Sequence, residues 1–150
     1  MKLRGFEIAK GWENANIALP RRATKHSAAY DIASAIDLTI PIFQPGSAPI
    51  LIPTGLKAYC LPDEFFFILN RSSGPQRGLV FANGVGVIDA DFYNNPDNDG
   101  HFQLIVFNIS DHPIQIKKGD RIAQLIFQKF LTIDNDTAQG DRTGGIGSTN

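Results

Sequence analysis

Short runs of apolar residues recur along the whole chain, and turn-forming residues separate them. β-Branched and aromatic residues are frequent in these runs, while proline, glycine, asparagine and aspartate lie between them, as expected for strands joined by tight turns. The pattern predicts strands over Leu3–Ile8, Leu38–Ile42, Ala48–Ile52, Leu56–Cys60, Phe65–Asn70, Leu79–Phe81, Val85–Ile88, Phe102–Asn108, Ile114–Ile116 and Arg121–Phe130. No long amphipathic helix or internal repeat is visible. The spacing therefore indicates an all-β domain, either a sandwich, a jelly roll or a small barrel.

The apolar pattern ends near residue 133, which divides the chain into two parts. The first 133 residues are predicted to form the β domain, and a chain of 150 residues is long enough to bury one core. The segment Asp134–Asn150 is polar and rich in glycine, so we expect it to be a mobile arm.

Composition narrows the choice of partners. The net charge is -1 and charged residues make up 19% of the chain, so no broad basic surface favours nucleic acid, although a phosphorylated small ligand needs only a few local cations. The one cysteine, Cys60, excludes an internal disulfide and is expected to be a packed core thiol. Neither a signal peptide nor an apolar stretch near the ~18 residues of a membrane span is visible. A cytoplasmic protein without membrane contact is expected.

One segment, Asn83–Phe92, combines acids, glycines and an aromatic within a hairpin-like stretch. Gly84 and Gly86 interrupt its apolar residues and let another molecule approach the backbone closely. Asp89 follows where such a strand would turn, and a carboxylate beside an open strand edge can order a water molecule. The segment therefore indicates a small-molecule active site. The alternative is that Asp89 only caps backbone amides of a turn.

Five separated segments carry a family resemblance. They are Ala28–Ile32, Arg71–Ser73, Gly86–Phe92, Gly119–Ile126 and Arg142–Thr149. Together, and in this order, they resemble the deoxyuridine triphosphatase (dUTPase) family. The resemblance implies a β jelly roll of the β-clip type, assembled as a homotrimer with shared active sites, in which the C-terminal arm, residues 134–150, closes over a neighbour's site. It implies that water attacks the α-phosphorus of dUTP, giving dUMP and pyrophosphate, with Mg²⁺ held on the triphosphate. Such an enzyme limits uracil in DNA and supplies dUMP for dTTP synthesis.

The resemblance also assigns roles to individual residues. Asp89 would orient and deprotonate the attacking water, Gln124 would contact that water or a phosphate, and Arg142 would meet the γ-phosphate. Asn83, Gly86, Val87 and Ile88 would read uracil, and Phe92 would lie against the deoxyribose. Arg71, Ser72 and Ser73 would bind the phosphates. From the arm, Ile146, Ser148 and Thr149 would complete the substrate site. Asp31 would help to order the site near the metal without binding it directly.

Three departures from the family pattern stand out. Phe92 replaces the usual tyrosine, and Tyr93, on the opposite side of an extended segment, is not an obvious substitute. Ile146 replaces the phenylalanine that would stack on uracil, so it offers apolar cover only. The connection Asn94–Gly100 is longer than usual and is interpreted as an exposed turn, because its calcium-loop-like spacing lacks the glutamate that such loops need.

Alternative roles stay open for several of these residues. Asn83 is also a common turn former, and Phe92 also fits a core or trimer-interface position. Gln124 lies on an apolar strand face, where a buried amide needs a hydrogen-bond partner; that partner is either the substrate side or a neighbouring strand. Arg121, on the other face beside Asp120, is expected to form a surface ion pair.

Two other functions compete with dUTP hydrolysis. A dCTP deaminase resembles the chain at Arg71–Ser73, but such enzymes carry a catalytic glutamate on the strand after the hairpin, and Phe102–Asn108 has Gln103 and no glutamate. The second is a regulatory protein that keeps the nucleotide pocket and acts through a protein partner. Release of ammonia from dCTP would support the first, and a partner displaced by dUTP would support the second.

Overall fold

The computed structural model describes residues 1–148. Nearly all of its regular structure is β-strand: β1 (Gly5–Ile8), β2 (Tyr30–Ala33), β3 (Leu38–Ile40), β4 (Ile50–Pro53), β5 (Leu56–Tyr59), β6 (Glu64–Asn70), β7 (Leu79–Phe81), β8 (Gly86–Asp89), β9 (Gln103–Asn108), β10 (Ile114–Ile116) and β11 (Arg121–Lys129). Two short helical turns complete it, α1 (Ser73–Gln76) and a 3-10 helix (Ala90–Phe92). None of the helices in residues 1–148 has the length and apolarity that a membrane span requires.

The strands form four antiparallel sheets. The largest has the order β2-β11-β6-β8, and a second has the order β4-β9-β7. Two small sheets pair β1 with β5 and β3 with β10. Strand β8 is therefore an edge strand, and it pairs with a strand, β6, that precedes it by about twenty residues.

Alternation of residue type explains how the two larger sheets pack. In β6, Glu64, Phe66 and Ile68 are buried, whereas the residues between them are partly exposed. The Phe66 ring contacts those of Phe102 and Phe127, with centroids 5.9 Å and 5.8 Å away. Leucine, isoleucine and valine from both sheets join the same buried cluster. Burial of this apolar surface is the main stabilising contribution to the fold.

The all-β prediction is confirmed, and each predicted strand matches an observed one to within a few residues. Three elements were not predicted: β2, α1 and the 3-10 helix. Helix α1 contains Gly74 and Pro75, which are poor helix formers, so its four residues carry no helical pattern in the sequence. Cys60 packs against the core as expected, and burial raises the pKa of its thiol to about 11.

Candidate active site

A groove lies beside edge strand β8, and we call it the hairpin groove. Its main walls are Asn83, Gly86–Asp89 and Phe92, with part of strand β9 opposite. Its volume is about 210 Å³. Ligand pockets usually measure roughly 300–1,000 Å³, so the groove has room for a base with its sugar rather than for a whole nucleoside triphosphate.

The turn between β7 and β8 shapes one end of the groove. Gly84 has a positive φ of 68°, which favours glycine, and its N–H donates to the carbonyl of Phe81. Gly86 lies against Ile68, since a Cβ at position 86 would come within 3.3 Å of the Ile68 Cβ. Within residues 1–148, β8 pairs with β6 alone. Its other edge therefore has backbone groups available for a flat polar ligand, as the sequence indicated.

Asp89 ends strand β8 and precedes the 3-10 helix. Its side chain makes no capping hydrogen bond to that helix, which argues against the turn-capping alternative. The carboxylate is 58% exposed and accepts a 2.6 Å hydrogen bond from Nη2 of Arg142. Because it is this exposed, the carboxylate can also accept a hydrogen bond from a water molecule beside a ligand in the groove.

Arg142 is held by two carboxylates and one ring. Its Nε donates to Oδ1 of Asp91 at 2.7 Å, in addition to the bond to Asp89, and its guanidinium carbon lies 5.7 Å from the centre of the Phe92 ring. Its side chain is only 8% exposed. Two charge-assisted hydrogen bonds and a cation–π contact compensate for this burial.

Phe92 faces both the groove and the core. It is 4% exposed, belongs to the main apolar cluster and lines the groove. The alternative core position of this residue is thus compatible with a wall of the site. Tyr93 does not replace the missing tyrosine, because its hydroxyl donates to Glu7 at 2.6 Å, away from the groove.

A second group of polar residues lies at the other end of β6, and we call it the arginine cluster; its members are Asp31, Arg71–Ser73, Arg121 and Gln124. Arg71 and Arg121 both bind the carboxylate of Asp31, at 3.0 Å and 3.1 Å. Arg121 therefore forms an ion pair, but its partner is Asp31 and not the adjacent Asp120. The reason is that β11 runs beside β2, which carries Asp31.

Gln124 lies in β11 opposite Asp31 of β2 and Leu69 of β6. Its Nε2 donates to the carbonyl of Asn70 at 2.8 Å, which is the bond to a neighbouring strand that the sequence left as an alternative. Gln124 also borders the same depression as Arg71 and Ser72, so its Oε1 can still face a ligand there.

Asp89, at one end of the hairpin groove, is far from Arg71 of the arginine cluster within one chain. Asp89 lies opposite Phe65 in the β6–β8 ladder, and Arg71 comes six positions after Phe65. At about 3.3 Å per strand residue, these backbones are roughly 20 Å apart. One chain thus brings Asn83, Gly86–Asp89 and Phe92 together but not with Arg71–Ser73 or Gln124.

The arm lies over the hairpin groove of its own chain, where Arg142 and Ile146 form part of the lining. The side chain of Ile146 is largely solvent-accessible, and the hydroxyl of Ser148 donates to the carbonyl of Gly145 within the arm. Thr149 lies outside the described residues. The structure is of a single chain, so closure of the arm over a neighbour's site stays a prediction.

Two contact residues of the arm were missed from the sequence. Asp91 binds Arg142, and a carboxylate two positions after Asp89 was the visible hint. Asp97 accepts a hydrogen bond from the backbone N–H of Gly145 at 2.8 Å. Nothing in the sequence indicated this second contact, because the residues are 48 positions apart. The connection Asn94–Gly100 is also not simply an exposed turn, since Asn95 is buried within it.

The all-β fold, with a groove at an edge strand that is lined by Asp89 and covered by an arginine-bearing arm, defines a β protein with a small-molecule site. Comparison with known proteins then specifies the family. The family model of the dUTPases matches residues 15–149. The chain belongs to the dUTPase family.

The relatives agree with each other. The deoxyuridine 5'-triphosphate nucleotidohydrolase of Lactococcus lactis is 49% identical over 152 residues, covering 99% of both chains. The crystal structure of the Streptococcus mutans dUTPase matches with a TM-score of 0.79 and 41% identity, covering 87% of this chain and 99% of that one. A mutant dUTPase from phage phi11 of S. aureus, in which a structural Mg(II) ion is coordinated, has the same fold, with a TM-score of 0.71 and 19% identity; it covers 93% of this chain and 98% of its own.

Proposed function

We propose that the chain hydrolyses dUTP to dUMP and pyrophosphate, with the base in the hairpin groove and the triphosphate at the arginine cluster of another copy. Family membership supports the reaction. One observation carries the placement of the chemistry: the Asp89 carboxylate makes no capping hydrogen bond and lies at the groove beside Arg142.

Uracil recognition is assigned to Asn83 and the free edge of β8. Uracil presents acceptor, donor and acceptor along its pairing edge, which a strand edge with one amide can match. Cytosine reverses part of that pattern and would leave buried polar groups unpaired, which is a strong basis for rejection. Phe92 forms the apolar wall against the deoxyribose, where a ribose hydroxyl would meet the ring.

Asp89 orients the attacking water and accepts its proton. A carboxylate is a weak base, so positioning next to the α-phosphorus must contribute much of the rate. Arg142 then moves from the two carboxylates to the γ-phosphate, whose several oxygens can accept its forked N–H groups. Gln103, which lines the groove from β9, has no carboxylate for the proton transfers of a deaminase.

Mg²⁺ is assigned to the substrate triphosphate. Asp31 fits no direct role as a ligand, because both of its carboxylate oxygens are engaged by Arg71 and Arg121. Its fitting role is to hold Arg71 ready for a phosphate. Bound to phosphate oxygens, the ion would neutralise charge that develops during attack.

The separation of the two groups supports a shared site. A nucleotide cannot bridge roughly 20 Å between Asp89 and Arg71 of one chain and still place its α-phosphorus against both groups. A homotrimer brings the arginine cluster of one copy to the hairpin groove of the next, and symmetry repeats the arrangement in a closed ring.

Two measurements test these assignments. Pyrophosphate release is measured separately with dUTP, dTTP, dCTP and UTP, and we expect that of the four only dUTP is hydrolysed. Asp89→Asn and Arg71→Ala copies, each inactive alone, test the shared site after unfolding and refolding as a 1:1 mixture. Random mixing makes about a quarter of the sites intact if they form between copies. If each chain builds its own site, mixing restores nothing.

A role through a protein partner stays a prediction. Capture experiments with and without dUTP test it, since a partner that occupies the groove should be displaced by the nucleotide.

A further inference from the structure

Beyond Arg142, the arm contacts the domain through Gly144 and Gly145 rather than through the apolar side chain of Ile146. Ile146, at the position where the family resemblance implies a stacking aromatic, is 61% exposed. Gly144 and Gly145 are buried instead, and both lie against the connection Asn94–Gly100. The N–H of Gly145 donates to Oδ2 of Asp97 at 2.8 Å. The tightest contact of the arm beyond Arg142 is therefore with this connection, which we call the 94–100 loop.

The 94–100 loop is held rigid from within. The buried Asn95 amide donates to the Phe92 carbonyl at 2.8 Å and to Asn98 at 2.7 Å. Its oxygen accepts the N–H groups of Asp97 and Asn98 at 3.1 Å and 3.2 Å. One side chain thus fixes the backbone on both sides of Pro96, and the Asp97 carboxylate is presented in a defined direction.

The loop is also anchored to the sheet beneath it. The ammonium of Lys57, whose side chain is 12% exposed, binds Asn94 at 2.6 Å and Asp99 at 2.9 Å. Asp99 also accepts the backbone N–H of Lys10 at 2.8 Å. Both ends of the loop are therefore tied to strand β5 through Lys57, and the Asp99 end is also tied to the segment after β1.

We propose that Asp97 is a positioning residue for the arm: its carboxylate binds the Gly145 N–H and so holds Arg142 over the hairpin groove. The catalytic consequence rests on the proposed function, whereas the contact itself does not. A backbone N–H donated to a carboxylate is a charge-assisted bond, stronger than a neutral one. The Gly145–Asp97 hydrogen bond thus holds the arm in place of the stacking contact that an aromatic residue at position 146 would make.

The glycine at position 144 is part of the same contact. A Cβ there would lie 2.5 Å from Oδ2 of Asp97, too close for any real contact, so an alanine must displace the carboxylate. A Cβ at Gly140, in the same arm, would have no neighbouring atom within 4 Å, and the backbone at that position accepts alanine. Gly140→Ala is therefore a matched control for Gly144→Ala.

Trypsin cleavage after Arg142 in the nucleotide-free protein reports whether the arm is held, because this side chain is nearly inaccessible when the arm is bound. For a locally opening segment the cleavage rate follows the population of the open form. Loss of one charge-assisted hydrogen bond with a partly exposed acceptor should increase that population about tenfold. We expect Asp97→Ala to accelerate cleavage and lower kcat/KM for dUTP by about this factor, without a change in Tm.

Three further variants sharpen the test. Asp97→Asn keeps an acceptor oxygen and should recover part of the protection. Gly144→Ala should accelerate cleavage in the wild-type background and have a smaller effect in Asp97→Ala, since the clashing oxygen is then absent. Gly140→Ala and Asp111→Ala, an exposed acid whose side chain contacts His112, should match the wild type.

The outcomes separate this proposal from the proposed function. Wild-type cleavage rates in Asp97→Ala, or fully additive effects of the Asp97 and Gly144 substitutions, would overturn the role of Asp97. Faster cleavage in Asp97→Ala from a protein that does not hydrolyse dUTP would support the contact and refute the reaction. In a homo-oligomer every copy carries both partners, so the variants remove the contact whether it forms within or between chains.

Discussion

Replacement of Asp89 by asparagine is the most direct test of the chemistry. The substitution keeps the size of the side chain and removes its charge. Asp89 makes no capping hydrogen bond and is more than half exposed, so little of the fold depends on it. Arg142 loses one of two carboxylate partners and keeps the bond to Asp91. The variant should therefore fold and retain the groove.

The expected magnitudes differ enough to distinguish two roles. An ion pair with an exposed carboxylate contributes about 1 kcal/mol or less to stability. A positioned general base contributes about 10²–10⁴-fold in rate, which corresponds to about 3–5 kcal/mol of activation free energy. If Asp89 acts on the water, Asp89→Asn lowers kcat by at least about a hundredfold and leaves Tm nearly unchanged.

Pyrophosphate release under saturating dUTP and Mg²⁺ measures the rate, and calorimetric titration with a non-hydrolysable imido analogue measures binding. We expect the dissociation constant to change only a few-fold, since nucleotide contacts other than Asp89 are intact. Asp91→Asn is the matched control: it also removes one carboxylate from Arg142, at nearly the same exposure. Equal losses of kcat in the two variants would refute the assigned role, because Asp89 would then act only as a partner of Arg142.

Three further predictions concern recognition, charge and pH. Asn83→Ala should lower the preference for dUTP over dCTP by about tenfold or more, because an unpaired polar edge costs about 1–3 kcal/mol. Competition kinetics with both nucleotides measures the preference, and an unchanged value would contradict the role of Asn83. Arg142→Ala should lower kcat about a hundredfold or more, the scale of a lost phosphate-binding arginine, whereas an unchanged rate would contradict contact with the γ-phosphate. Burial lowers the pKa of His101, whose Nε2 accepts the Gly55 N–H at 3.0 Å. The unfolded chain therefore takes up this proton first, so the free energy of unfolding should decrease as pH falls below about 6.5. Urea unfolding at pH 7.5 and 5.5, at one protein concentration, should show a smaller decrease for His101→Gln; an equal one would contradict this.

Much of the fold was predictable because alternating burial leaves a record in the sequence. Strand β6 alternates buried and partly exposed residues over most of its length, and it was predicted to within one residue. Strand β2 was missed because its four residues include Asp31, and it is held by pairing with β11, about 90 positions away. Such pairing has no local pattern, so no period in the sequence reports it.

The site was predictable in composition but not in arrangement. The segment Asn83–Phe92 carries its chemistry on consecutive residues, and the structure keeps those residues together in one groove. The predicted ion pair of Arg121 is present, but the sequence could not show that strand pairing brings Asp31 to it rather than the adjacent Asp120. The contact between Asp97 and Gly145 involves a backbone N–H, which every non-proline residue has and which therefore gives no sequence pattern.

The acid pair Asp89 and Asp91 also explains how the arm can carry a buried cation. A guanidinium that is 8% exposed would be costly without partners, so the arm needs negative charge wherever Arg142 lies. Without nucleotide the two carboxylates supply it, and with nucleotide we expect the γ-phosphate to do so. On this proposal, Arg142 would exchange its two carboxylate partners for a phosphate, and Asp89 would be released from the arginine in the same movement.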